Sequence, residues 1–512
     1  MNYSLLLHTL CYLRPTQLAN QLKVRLIKPL YKALVYQKKE NLGSFFTEWI
    51  TKPTCLQDGT FSFLNLSAEF TSWLFTDHGM LWAYNLNYMD WLCQGGITEA
   101  EGCRWIDRFI EDTLNSQFST LISYDPYPIA LRCINWVKFY SKYPESATQK
   151  RLDCLYSQLC LLEQKLEYHL LGNHLLEDAY ALYIGGAYLN DAKIFQKAER
   201  LLLEQLREQV LPDGAHYEQS PMYHCILLDR LLDCINIRRT DALCKYALRM
   251  LGHLESIVWE DGSIPLLNDS SYGIAPTPAQ LFAYANRLGL EWKAIPLKEC
   301  GYRKLRNERM EAVVDVGDIT ASYQPGHSHA DVLNYELRID GKPFVVDTGI
   351  STYNKTERRQ YERSTAAHNC VVVDERDSSE VWSGFRVGKR SMVKSLEFRD
   401  EGIKATHDGF GKPCTRSFKM TDETLIIEDE YAGEAVSYIH LAPQVKILET
   451  RKMGVKTDKG NINVEGAYRV EVFPGFVSTE YNKLEDNKVI RISFFKEMKY
   501  TITLNSTPST LN

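Results

Sequence analysis

Part-way along this chain the spacing of apolar residues changes from a helical to an extended period, and that change restricts the folds open to it. From about Phe45 to Gly301 apolar residues recur at three and four, as in the run Ile194-Phe-Gln-Lys-Ala-Glu-Arg-Leu-Leu-Leu-Glu-Gln-Leu-Arg-Glu-Gln-Val210. Similar amphipathic runs span 149–171, 224–238 and 241–259, separated by turn signals such as Leu211-Pro-Asp-Gly214, Glu260-Asp-Gly-Ser263 and Ala275-Pro-Thr-Pro278. Successive helices with short connections predict helical hairpins stacked into a bundle or toroid. After about Lys304 the pattern alternates, as in Thr424 to Tyr431 and Val489 to Phe495, with Asp-Gly and Asn turns between. That is the pattern of a layered antiparallel sheet. The expected organisation is α then β: a basic N-terminal segment over 1–44, a helical domain over 45–303 and an antiparallel β domain over 304–512.

Composition narrows the function classes. A net charge of −6 on 512 residues gives no general attraction for nucleic acid, and an acidic polymer would have to be drawn in by a local basic cleft. Thirty tyrosines and nine tryptophans suit sugar stacking as well as core packing. The 13 cysteines form no Cys-x-x-Cys pair and are odd in number, the pattern of free thiols in a reducing compartment. With only the short Leu5-Leu6-Leu7 run at the N-terminus and no run of transmembrane length, a cytoplasmic location is expected. Seven cations, from Arg14 to Lys39, precede the first acid, Glu40. Interleaved with leucines and valines they predict a basic amphipathic helix, docked on the rest of the protein or in peripheral contact with an anionic membrane.

Three stretches carry chemistry. In Gly326-His-Ser-His-Ala-Asp331 two histidines one residue apart, read as strand, point the same way. A hairpin signal at Asp340-Gly341 returns Asp347 beside His329, and His368 follows downstream, so His329, Asp347 and His368 form a candidate metal site with ligands that zinc favours. In Leu171-Gly-Asn-His-Leu-Leu-Glu177 a helix begins with Asn173 near its N-terminus and with His174 and Glu177 on one face, a socket for a carboxylate. In the run from Asp213 to His224, Tyr217 and Tyr223 are candidate acid–base groups, with His216, Glu218 and His224 as tuners. Aromatic runs at 81–91 and 125–136 supply core, with Trp82 and Arg132 as candidate cleft residues.

Taken in order, Gly172-Asn-His-Leu-Leu-Glu177, the Pro212 to His224 segment, Gly326-His-Ser-His-Ala-Asp331, Val346-Asp-Thr-Gly349 and Arg363-Ser-Thr-Ala-Ala-His-Asn369 resemble the heparinase II/III-like polysaccharide lyases over most of the chain. The resemblance implies an (α/α) toroid followed by an antiparallel β-sandwich, with an acidic polysaccharide bound in the cleft between them. It implies that Asn173 and His174 neutralise a uronate carboxylate, that Glu177 orients that cluster and that Tyr223 protonates the leaving oxygen. His327 would face the substrate, and His329, Asp347 and His368 would hold zinc in a structural or supporting role. Tyr361 and Arg363 are the choices for a further phenolic or basic substrate contact, with Tyr353 as a close competitor. The implied reaction is β-elimination on a uronate-containing glycan; joined to the expected reducing compartment and lack of an export signal, it suggests work in capsule or exopolysaccharide metabolism. A uronyl C5-epimerase and a non-catalytic glycan-binding or assembly protein are the alternatives.

Overall fold

The computed structural model describes residues 3–37, 42–114, 122–399 and 402–505. The last long helix of the helical region is Pro278–Arg287, and the large sheet opens with the strand Tyr302–Arg306. At the centre of the helical region lies Gly172–Tyr188, in which every residue except His174 is buried. Around it pack Pro126–Lys142, Gln149–Lys165, Ala192–Gln209 and Pro221–Ile237. Close approach is needed to enclose a helix on all sides. A Cβ on Gly186 would sit 2.8 Å from the backbone nitrogen of Phe195, so a glycine there lets the next helix in. Ala192–Gln209 is amphipathic as its spacing predicts, burying Ile194, Phe195, Ala198, Leu201, Leu202 and Leu206, and the Asp191 carboxylate caps it by accepting from the amides of Lys193 and Ile194.

The β region is a 13-stranded antiparallel sheet that closes over its own core, built around the long strands Thr424–Leu441, Gly460–Glu480 and Lys483–Leu504. Along Thr424–Leu441 Leu425, Ile427 and Ile439 face an apolar cluster shared with Leu337, Phe344, Ile490 and Ile502. Tyr335–Ile339 and Lys342–Val345 form the expected hairpin. Asp340 (φ 51°) and Gly341 (φ 69°) are both left-handed, as a two-residue type I′ turn requires. Leu441 pairs with Val345 and ties the hairpin to the long strands.

Three features depart from the expected elements. A small three-stranded sheet, Leu56–Gln57, Thr60–Phe63 and Leu66–Glu69, sits inside the helical region, and a short helix, Glu357–Glu362, inside the β region. The Pro325 to Asp331 segment, expected as strand, is an irregular loop against the helical region. The N-terminal segment forms two short helices, Tyr3–Leu10 and Pro15–Leu26, that touch both regions. Buried Gln17 donates to the carbonyls of Leu170 (3.3 Å) and Tyr323 (3.2 Å), Arg14 stacks 3.6 Å over the Tyr323 ring, and His8 meets Glu380 at 2.7 Å. No described helix is long and apolar enough to cross a membrane.

Candidate active site

A cleft of about 1140 Å³ opens between the two regions, and Asn173, His174, Tyr223, His327 and Tyr353 are among its lining residues. Each is placed by local chemistry. Asn173 sits in the first turn of its helix, after Leu171 and Gly172, both left-handed at φ 64° and 61°. A Cβ on Gly172 would lie 2.3 Å from Glu218 Oε1, so glycine is what allows the Glu218 carboxylate to reach that helix end. It accepts from the Asn173 backbone amide (2.8 Å) and from Asn173 Nδ2 (2.9 Å). Tyr223 lies in the first turn of Pro221–Ile237, where Pro221 is the first residue and the Ser220 hydroxyl accepts from the Tyr223 amide at 3.1 Å.

The loop carrying His327 completes the cluster. The His327 ring stacks on Tyr223 with centroids 3.8 Å apart, and its Nε2 lies 3.1 Å from Asn173 Nδ2. His327 Nδ1 is 3.0 Å from Asp269 Oδ2, and His329 Nε2 is 2.8 Å from Asp269 Oδ1. The two imidazoles therefore do converge, on one carboxylate, although the backbone between them is not a strand. Arg359, fully buried, clamps the same carboxylate with bonds of 2.6 and 2.7 Å. Burial alone would raise the Asp269 carboxyl; the Arg359 charge and the two histidine donors instead hold it well below the usual range. An ionised carboxylate only accepts, so His327 donates from Nδ1 to Asp269, and its Nε2 stands at the cleft between the Asn173 amide and Glu218 Oε2, 3.4 Å away.

Two phenols face this imidazole. The Tyr223 and Tyr353 hydroxyls are 3.4 Å apart, and burial raises both above the ordinary tyrosine value, so both remain protonated at neutral pH. On the other wall, His174 Nδ1 meets Glu167 Oε2 at 3.0 Å beside the Tyr127 ring. Burial disfavours the charged ring, but the Glu167 carboxylate outweighs it and the His174 pKa is raised. Lys52, Lys165, Arg230, Arg386 and Arg390 add basic lining to an otherwise acidic chain.

Several expected residues stand elsewhere. Glu177 is fully buried behind the cleft, its nearest cation Arg230 at 3.8 Å, and burial raises it to about 7. It touches no cleft surface, because its position faces the interior of a helix enclosed on all sides. Tyr361 and Arg363 do not line the cleft either: Tyr361 is turned outward beneath Arg358, and the Arg363 guanidinium donates to the carbonyls of Ser328 and Arg386. Tyr353, the competitor, does line the cleft. Trp82 and Arg132 are core, Arg132 bonding Gln158 and the carbonyls of Asn87 and Ser123. Tyr217 does not line the cleft but bonds Tyr323, which does, and His216 and His224 are buried against Gln209 and the Met250 carbonyl. Asp269 and Arg359 carry no motif that marks them in the sequence. Arg359 follows Arg358 on a short helix, and no pattern tells which of two adjacent arginines is buried.

Next to the His327 loop lies a candidate metal centre. Ligand atoms of Asp331, Asp347 and His368, all buried, fall within 4.8 Å of one another. His329 is not in that group, since its Nε2 is turned to Asp269; Asp331 stands in it instead. Even so, His329 Nδ1, His368 Nε2 and Asp331 Oδ2 are buried without a partner, while the other nitrogen of each histidine bonds a carboxylate, His368 Nδ1 reaching Asp347 Oδ2 at 2.7 Å. Buried carboxylates beside an imidazole whose other nitrogen is held by a carboxylate are a donor set suited to a divalent cation.

Comparison with known proteins agrees with this geometry. The family models for the heparinase II/III N-terminus and the heparinase II/III-like C-terminal region match residues 133–270 and 291–505. The chain belongs to the heparinase II/III-like family. It is 24% identical over 241 residues to a heparin-sulfate lyase of Pedobacter heparinus, a match covering 40% of this chain and only 36% of that relative's length. Among solved structures, a heparinase III aligns over 97% of this chain and 86% of its own at a TM-score of 0.70 and 15% identity. The heparan sulfate lyase HepC of Pedobacter heparinus aligns over 96% and 88% at 0.57 and 16%, and the chondroitin AC lyase of Streptomyces coelicolor A3 over 84% and 75% at 0.52 and 10%. This family member thus shares their helical region followed by an antiparallel sheet region.

Proposed function

We propose that this protein is a polysaccharide lyase that cleaves an acidic, uronate-containing glycan by β-elimination. The observation that carries the reading is the meeting of His327 Nε2, the Asn173 amide and the Tyr223 phenol on one wall of the cleft. Abstraction of a uronate C5 proton places negative charge on the adjacent carboxylate, so the reaction needs a base, a carboxylate clamp and an acid. His327, oriented through Nδ1 by Asp269, offers Nε2 as the base. Both Asn173 amide hydrogens are engaged, by Glu218 and by His327. An incoming carboxylate would take the hydrogen now given to His327, which clamps the substrate and frees Nε2 in one exchange. His174, whose pKa Glu167 raises, stands beside Asn173 to stabilise charge as the enolate-like intermediate forms.

Tyr223 holds its proton at neutral pH and stands beside the base, so it delivers that proton to the departing glycosidic oxygen. The C5 proton moves to His327, the C4–O bond breaks and a C4=C5 double bond is left on the new non-reducing end. Tyr353, at hydrogen-bond reach of Tyr223, is the proposed resupply of that proton.

A zinc ion at this centre would be held by Asp331, Asp347 and His368, with His329 beside them, and would supply fixed positive charge that pins the His327 loop to the strand end after the Asp340-Gly341 hairpin. The test is a panel of acidic polysaccharides followed by ultraviolet absorbance of the unsaturated product. At least one substrate is expected to give the signal, and Tyr223→Phe to abolish it; glycan consumption with no absorbance, or equal rates in Tyr223→Phe, would reject elimination by this site.

A further inference from the structure

The chemistry above leaves the outer face of the N-terminal segment without a purpose. Large apolar side chains stand in solvent there: Leu22 is 61% exposed, Leu26 82%, Ile27 57% and Leu30 56%. Leu18, Leu22 and Leu26 are spaced by four and share one face of Pro15–Leu26, and the run continues through Ile27, Leu30 and Val35 beyond it. A single exposed leucine needs no account, but a contiguous apolar surface on a soluble fold marks an interaction site. The segment is not a loose tail waiting to fold inward, because Gln17, Arg14 and His8 already fix it to both regions of the molecule.

Charge decides what covers this face. Lys23, Arg25, Lys28 and Lys32 are exposed among the leucines, and the sequence before Glu40 contains no acid, in a chain of net charge −6. We propose that the N-terminal segment docks on an anionic lipid bilayer, with its leucines at the acyl boundary and its cations among head-group phosphates. A second copy of the chain is a poorer occupant, since symmetric pairing of this face would set like cations against one another. Leu22, Val24, Ile27 and Lys28 also line the cleft. Docking therefore turns the cleft toward the membrane surface, where an acidic glycan held at that surface would meet the site.

Vesicle flotation of the full chain tests this without any turnover, so its outcome is separate from that of the lyase assay. The protein is mixed with vesicles of phosphatidylcholine alone or of equimolar phosphatidylcholine and phosphatidylglycerol. It is expected to float with the anionic vesicles only and to be released by salt. Leu26→Glu with Leu30→Glu, and separately Arg25→Ser with Lys28→Ser and Lys32→Ser, should each weaken binding at least about tenfold. These side chains are exposed, so circular dichroism and melting temperature should match the parent and exclude misfolding as the cause. Absence of flotation with anionic vesicles, equal flotation with both vesicle types or unchanged binding by both variants would overturn the proposal. So would a dimer that Leu26→Glu dissociates while no vesicle is bound, which would assign the face to a second copy.

Discussion

Asp269 is the residue on which the site turns, because one carboxylate orients His327, holds His329 and neutralises a fully buried arginine. Asp269→Asn keeps the shape but removes the charge opposite Arg359. Leaving a buried cation unpaired costs about 3–5 kcal/mol, so a large fall in melting temperature is expected together with lost turnover. Tyr223→Phe should differ: loss of an acid costs about 10²–10⁴ in rate, with melting temperature close to the parent because only the 3.4 Å contact to Tyr353 is lost. Glu177 gives a pH test with a definite sign. In the folded protein it keeps its proton up to about 7, against an ordinary value of 4.5. Between those values the unfolded chain has released a proton that the folded chain retains, so this group's contribution to stability falls as pH rises from about 4.5 to about 7 and is level above. The melting temperature of the parent relative to Glu177→Gln should decline across that window; a constant difference would show that Glu177 titrates normally. His174 was legible as a cleft residue from its helix-start position, whereas Asp269 was not, since a lone acid in an Asn-Asp-Ser-Ser loop reads as an ordinary turn.

Elements place these residues through caps and turns. Ser220 and Pro221 set the helix start that presents Tyr223, and loss of such a cap costs about 1 kcal/mol. Ser220→Ala should therefore lower stability modestly and also slow turnover, read as a fall in kcat larger than in the melting temperature alone, because the Ser220 hydroxyl also donates to the Asp269 carbonyl. The hairpin at Asp340-Gly341 was readable because two left-handed residues in succession have few sequence solutions. The His327 loop was not: His-x-His has the same appearance in a strand and in a loop, and only contact with Asp269 on another segment decides between them. The candidate metal centre brings Asp331 of this loop beside Asp347, which follows the hairpin. On the proposal that this centre holds zinc, His368→Ala is expected to lower the zinc content found by elemental analysis and the melting temperature, and treatment of the parent with chelator should lower the melting temperature similarly.

At the scale of the molecule, the change of hydrophobic period marked where helices give way to sheet, because each period encodes the face that its element buries. Periodicity says nothing about how the two regions meet, and the cleft is a product of that meeting: Asn173 and Tyr223 come from helices, His327 and Tyr353 from loops of the sheet region. The most direct measurement is the mass of the product ends released from a uronate-containing polysaccharide. Elimination through His327 and Tyr223 predicts new non-reducing ends lighter by one water than hydrolysis would give, absent with either His327→Ala or Tyr223→Phe. Full-mass ends, or unsaturated ends formed at parental rate by both variants, would contradict the account.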